Sequence, residues 1–294
     1  MTTSRVLSGT VAVAAGVSGA ALLAFPAGTA DFFSWGLGPP PLASLIGGAY
    51  LASAVLYACA AVAPWAEARV TTLGILALTI PVFAATLAHL DTFDFGRLQA
   101  WLWVVLFTAF PIGAAVALVG EARTSRGPGG LPGARHAAAR THPAERAGAA
   151  LLAVALAVVS VALWADPAGA GGDLLPFAPS LLGGRVLGSW TFLVAVLAGS
   201  IAVSGRRREG RLAALALVAF PFGALAAGLR TFADLEPGGH RAAYLAALLL
   251  GLGLGLALHA SVRRADRSEP SAGGSPDPPA LDVEAPGPWH PSPA

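Results

Sequence analysis

The sequence predicts an all-α, polytopic membrane bundle: eight transmembrane helices arranged as two parallel four-helix repeats. Three observations carry this prediction. Charged residues make up 12% of the chain and hydrophobic ones 55%, whereas about a quarter of a typical soluble domain is charged. Only seven charges (Arg5, Asp31, Glu67, Arg69, Asp91, Asp94 and Arg97) fall in the first 120 residues. The apolar runs between them reach the roughly 20 residues that cross a hydrocarbon core about 30 Å thick at about 1.5 Å per residue. Finally, features of the first half recur about 140 positions later.

The charge-free runs place the spans at 6–25, 41–63, 70–90, 98–120, 147–165, 181–204, 212–229 and 242–262. The first span could also be read as a secretory signal, because Arg5 precedes an apolar stretch and Gly28-Thr29-Ala30 stands before Asp31. A retained helix is favoured because the repeat pairs this span with the fifth. Residues 1–120 therefore form the first membrane repeat and 147–263 the second. Between them lies a 121–146 linker rich in Arg, Gly, Pro and His. The 264–294 tail, with eight Pro and five acids, has no apolar periodicity and is expected to be disordered.

Arginine placement gives the orientation. With a cytoplasmic N-terminus, fourteen of the eighteen arginines lie on inner segments, and only Arg97, Arg185, Arg230 and Arg241 lie outside. The positive-inside rule then predicts a multi-pass protein of the cell membrane with both termini cytoplasmic, as an even number of spans requires. Trp35, Trp65, Trp101, Trp103, Trp164 and Trp190 fall near span ends and are expected to be interfacial indoles.

Self-comparison pairs Pro26-Ala27-Gly28 with Pro167-Ala168-Gly169 at an offset of 141, Pro39, Gly48 and Pro81 with Pro179, Gly188 and Pro221 at 140, and Thr92-Phe93 with Thr231-Phe232 at 139. Tyr50 pairs with Trp190 at 140. Four helices per unit make the two units parallel, related by an axis along the membrane normal. The segments Phe33-Ser34-Trp35, Pro39-Pro40-Pro41, Gly47-Gly48-Ala49-Tyr50, His89 to Phe95 and Ala100-Trp101-Leu102-Trp103 resemble a family of uncharacterised actinobacterial multi-pass membrane proteins, best over residues 33–115. The second half carries the resemblance on Pro179 and Arg185 to Trp190, and Phe177 stands where such proteins often have Trp. The resemblance implies an integral membrane protein and transfers no catalytic residue.

Candidate chemistry gathers at the outer rim, in His89-x-Asp91-x-x-Asp94 and Asp234-x-Glu236-x-x-x-His240. Imidazole and carboxylate at these spacings can ligate a divalent ion, and the repeat places both sets on one face. The plainer reading makes them hydrated loop charges paired with Arg97, Arg230 and Arg241. Pro81 and Pro221 would kink equivalent helices and, with Thr79, Thr86 and Ser189, could line a path; packing uses such residues equally well. Gly184-xxx-Gly188, Gly48-xxx-Ala52 and Gly251-xxx-Gly255 suit close helix packing within the chain, and a homodimer is the alternative.

Other chemistry fails on inventory. The lone Cys59 excludes an internal disulfide and any CxxC site. His89 and His259 lie near opposite ends of their spans and cannot share a haem. Gly127-Pro128-Gly129-Gly130 has no preceding strand and is no dinucleotide loop. A net charge of +2 is too weak to argue for nucleic acid. The sequence thus reads as a non-enzymatic membrane protein without a cofactor, with the lipid bilayer as its partner. A small-solute or ion transporter with its pathway between the repeats is the alternative.

Overall fold

A computed structural model describes residues 2–124, 141–205 and 209–268. Much of the expected linker, Arg206-Arg207-Arg208 and most of the expected tail lie outside the described residues. Every regular element among the described residues is helical: α1 (Thr2–Ala24), α2 (Thr29–Phe32), α3 (Pro40–Val62), α4 (Trp65–Ala88), α5 (Leu98–Thr124), α6 (Pro143–Ala165), α7 (Gly169–Leu174), α8 (Leu181–Ser204), α9 (Arg211–Arg230) and α10 (Gly239–Ser268). Eight of these are long and apolar enough to cross a membrane; the short α2 and α7 lie between spans. The protein is a multi-pass helical membrane bundle.

Local chemistry sets the helix ends. Pro39 and Pro64 occupy the N-cap positions of α3 and α4, and Pro143 opens α6, where a missing N–H costs nothing. His142 and Glu145 form a capping box at the start of α6. The hydroxyl of Ser180 accepts from the Gly183 N–H at the start of α8, which ends on Gly205 at a φ of 60°. Counting charge-free residues started α4 five positions late, at 70 instead of 65. Glu67 and Arg69 fit inside its first turns because a carboxylate is stabilised at a helix N-terminus. The buried Glu67 carboxylate also stands 3.9 Å from Arg211, at the first residue of α9.

The spans sort into two shells. Over their most apolar windows α3, α4, α8 and α9 are 50 to 56% buried, whereas α1, α5, α6 and α10 are 11 to 28% buried. The inner four make the core. The outer four present Val13, Val17, Val116, Leu151, Val158 and Leu250 at the surface, an apolar belt suited to acyl chains. The packing is the same in each half: α1 lies along α3 as α6 lies along α8, and α4 packs on α5 as α9 packs on α10. The halves interlock, since α3 packs more extensively on α9 than on its own neighbour α4, and α4 more extensively on α8 than on α3.

At the α3–α9 crossing the two backbones touch. A Cβ built on Gly48 would stand 2.2 Å from the Gly223 carbonyl oxygen, and one on Gly223 would stand 2.4 Å from that of Gly48. The other small-residue stripes are also used inside the chain: Gly184 and Gly188 face Pro167 and α6, and Gly255 faces the Leu217 carbonyl. In lipid, where no hydrophobic force pulls helices together, such close approach supplies the van der Waals contact that holds them.

Gly48→Ala must push α3 and α9 apart. Overpacking of this kind costs about 1–3 kcal/mol, so the thermal midpoint in detergent should fall by about 3–10 °C. Gly120→Ala, on a helix face with nothing within 4 Å, should leave the midpoint unchanged or raise it slightly through helix propensity. An unchanged midpoint for Gly48→Ala would remove the crossing from its central role.

Candidate functional site

The rim residues follow from helix termination. α4 stops at His89, the chain makes a short 3-10 turn over Leu90–Thr92, and Arg97 precedes α5. α9 stops at Thr231 and makes the corresponding turn over Phe232–Asp234 before α10. Asp91, Asp94, Asp234, Glu236 and His240 are all exposed. The Asp94 carboxylate accepts from the Gly96 N–H at 3.0 Å within its own loop. The Glu236 N–H donates to the Pro176 carbonyl at 2.9 Å. Among the described residues no three His, Cys, Asp or Glu side chains come together in a group able to hold a metal ion. The structure therefore does not gather the two rim motifs into one site.

His89 has a different partner. Its Nε2 lies 2.7 Å from Nη1 of Arg185 on α8, a contact between the two halves. Arg has only donors, so Nε2 accepts and the ring proton is on Nδ1. The Arg185 Nε also donates to the Trp164 carbonyl at 3.4 Å, and its guanidinium lies 5.8 Å from that indole ring. Two other rim arginines bind backbone or a ring face: Arg97 donates to the carbonyls of Ala30 and Asp31, and Arg241 lies 4.5 Å over the Phe232 ring.

Several tryptophans are packed inside the bundle and do not face its surroundings. Trp35, Trp103 and Trp190 are at most 5% exposed. Trp35 and Trp103 form an aromatic cluster with Phe33, Phe93 and Phe107, with ring centroids 4.2 to 5.1 Å apart along Phe33–Trp35–Trp103–Phe107. Trp190 lies deep in α8 against Tyr50 of α3, at 5.0 Å. Counting distance from span ends missed this because an indole one helical turn inside a span can face either lipid or core.

The expected path residues separate. The Thr86 hydroxyl donates to the Val82 carbonyl and accepts from the Trp103 indole at 2.9 Å. Ser189 donates to the Arg185 carbonyl and accepts from the Trp164 indole at 3.0 Å. Both fix indoles against neighbouring helices. Thr79 alone of the three lines a cavity, and its hydroxyl donates to the Ile75 carbonyl at 2.6 Å.

Two cavities flank the core. The first, about 370 Å³, lies among α1, α3, α4 and α5 and is bordered by Trp190 of α8; the second, about 290 Å³, lies among α6, α8, α9 and α10 and is bordered by Leu45 and Ala49 of α3. Twelve residues lining the first have their counterpart 141 positions later among those lining the second. The register explains why the paired prolines differ. Pro221 lines the second cavity, but Pro81 does not line the first. In that register Pro81 matches Phe222, and one residue along a helix turns a side chain by about 100°. The two prolines are therefore not equivalent, contrary to the alignment at 140.

The cavities differ in polarity. Ser18, Ser34, Ser53 and Thr79 of the first are replaced by Val159, Leu175, Val194 and Phe220 in the second. Neither cavity is lined by a charged side chain. Both border exposed apolar side chains: Val17 and Leu102 of the belt, 68% and 49% exposed, at the first, and Leu174 of the short α7, 44% exposed, at the second.

A double-mutant cycle with Arg185→Leu and His89→Ala should give a coupling of about 1 kcal/mol in unfolding free energy, the net worth of one partly exposed hydrogen bond to a charged group. Zero coupling would make the contact incidental. Compared with family models, with curated proteins and with solved structures, the chain matches none.

Proposed function

We propose that the protein is a non-enzymatic membrane component that takes lipophilic molecules from the bilayer into its two lateral cavities. The carrying observation is the combination of a closed seam with side openings. Where a solute path between the halves would run, Gly48 and Gly223 meet backbone to backbone, and Tyr50, Trp190 and Phe220 fill the adjoining space. The cavities instead border exposed apolar side chains of the belt. This arrangement supports binding from lipid over transport of a water-soluble solute. The rim carboxylates and imidazoles act as solvated surface charges in this reading.

The common register of the two cavities supports an internal repeat of two parallel four-helix units about a pseudo-two-fold axis. The contact between Tyr50 and Trp190, one residue apart in that register, supports such an axis passing near them, since near-equivalent residues of two units touch only there. The arginine distribution supports both termini in the cytoplasm and the rim motifs outside. The resemblance to an actinobacterial multi-pass family agrees with this placement and adds no activity.

Two measurements test the reading. Fusions at residue 135 and at the C-terminus should activate a cytoplasmic reporter and leave a periplasmic one silent; the opposite result would invert the topology. Native mass spectra of the full chain, released from micelles made with total membrane lipid, should show retained lipid. Filling both cavities with Ala14→Trp and Ala247→Trp should lower its occupancy at least fivefold. Equal retention by the filled variant would place the lipid on the outer belt and defeat the binding role.

A further inference from the structure

We infer that the first cavity binds an uncharged, carbonyl-bearing lipid, its oxygen held by Ser53 on the far wall and its hydrocarbon tail leaving between α1 and α5. The inference rests on the lateral-binding reading above and narrows it to one cavity and one ligand chemistry.

Ser53 sets the ligand chemistry. It is 2% exposed and lines the cavity, and its hydroxyl has no hydrogen-bond partner. A serine within a helix usually donates to the carbonyl one turn back, as Ser189 does to Arg185 and Thr79 does to Ile75. Ser53 does not. An unmade hydrogen bond in a membrane interior is costly because water cannot repair it.

Packing does not demand this hydroxyl. In the matched register Val194 occupies the corresponding position of the second cavity, one heavy atom larger than serine and with no polar group to satisfy. Ser18, Ser34 and Thr79 are replaced there by apolar residues as well. One of two like-built cavities has thus acquired hydroxyls and the other has none at these positions. The difference has a use if the first cavity holds a ligand oxygen.

The remaining chemistry narrows the ligand. Ser53 can donate one hydrogen bond, which a carbonyl oxygen accepts. No charged side chain lines the cavity, so a carboxylate or ammonium head would be desolvated without a counter-ion. The walls include the rings of Tyr50, Tyr57, Phe107 and Phe110, apolar faces for a flat carbonyl head or a chain. Val17 and Leu102 are the exposed wall residues, where the tail reaches the belt. A volume of about 370 Å³ lies within the range of small-molecule sites, about 300–1,000 Å³.

The test titrates the full chain in maltoside micelles with tritiated 2-tridecanone in a scintillation proximity assay. The expected result is one saturable site, against which n-tridecane and dodecanoate compete at least tenfold more weakly than unlabelled ketone. Ser53→Ala should weaken binding about threefold to tenfold, the range of one net hydrogen bond. Ala14→Trp should abolish binding, and Ala247→Trp in the second cavity should leave it unchanged. If Ala14→Trp does not elute as a monodisperse protein, Leu102→Trp at the exposed mouth replaces it. Binding that survives the filled first cavity, equal competition by the alkane or the carboxylate, or an unaltered affinity in Ser53→Ala would overturn the inference. Native spectra that keep cavity-dependent lipid while the ketone fails would reject the ligand chemistry alone; loss of both would reject lateral binding itself.

Discussion

Where α3 crosses α9, the backbones of Gly48 and Gly223 are in contact, and neither position can carry a side chain without separating the helices. Apolar helices in lipid gain little by hiding apolar surface, so their association depends on how closely their backbones approach. This contact brings a helix of the first half against one of the second. It sets the distance at which Tyr50 meets Trp190 and Trp190 meets Phe220. With the centre closed, the outer helices have only the flanks of the core to pack on, and the spaces left over lie at the side.

Polar groups then fix the outer helices in rotation. The Trp103 indole bonds Thr86 and joins α5 to α4, the Trp164 indole bonds Ser189, and the Ser160 hydroxyl bonds the Gly188 carbonyl and joins α6 to α8. The Tyr57 hydroxyl donates to the Thr71 carbonyl and ties α3 to α4. Each of these hydroxyls or indoles would otherwise be an unsatisfied group in hydrocarbon. At the two ends, Arg185 with His89 and Arg211 with Glu67 bridge the halves. The interior is therefore held by contact at the centre and by directed hydrogen bonds around it.

Much of the helix inventory was legible in the sequence, because a charge-free run of about twenty residues has few other uses. The α4 start and the length of α10 were not, since charges that end an apolar run can still sit inside helical turns near the interface. The fate of the tryptophans was also hidden: Trp101 and Trp103 are two residues apart in α5, yet one is 55% exposed and the other 5%. Sequence position gives depth, but the facing direction is set by the partner helix. The rim motifs looked like a metal site because their spacing is visible and the direction of each side chain is not. The cavities left no local signature, because their walls come from several helices and from positions as far apart in sequence as Val11 and Trp190.

The offset between the halves could be seen in sequence only to within a residue or two, and that uncertainty decides the interpretation. In a helix, a shift of one residue turns the side chain by about 100° and carries it from a cavity to a helix interface. At an offset of 140 Pro81 and Pro221 match, and paired kinks invite a pathway. At 141 the walls of the cavities match instead, and Ser53 falls opposite Val194. Duplication alone would give both halves the same cavity with the same lining. Packing alone would favour apolar residues at all four hydroxyl positions, as the second half has them, because each hydroxyl in hydrocarbon needs a partner. Ser34 and Thr79 meet that need with the carbonyls of Gln99 and Ile75. Ser53, like Ser44 outside the two cavities, finds no partner within the protein, so packing does not explain a hydroxyl at this point of the cavity wall.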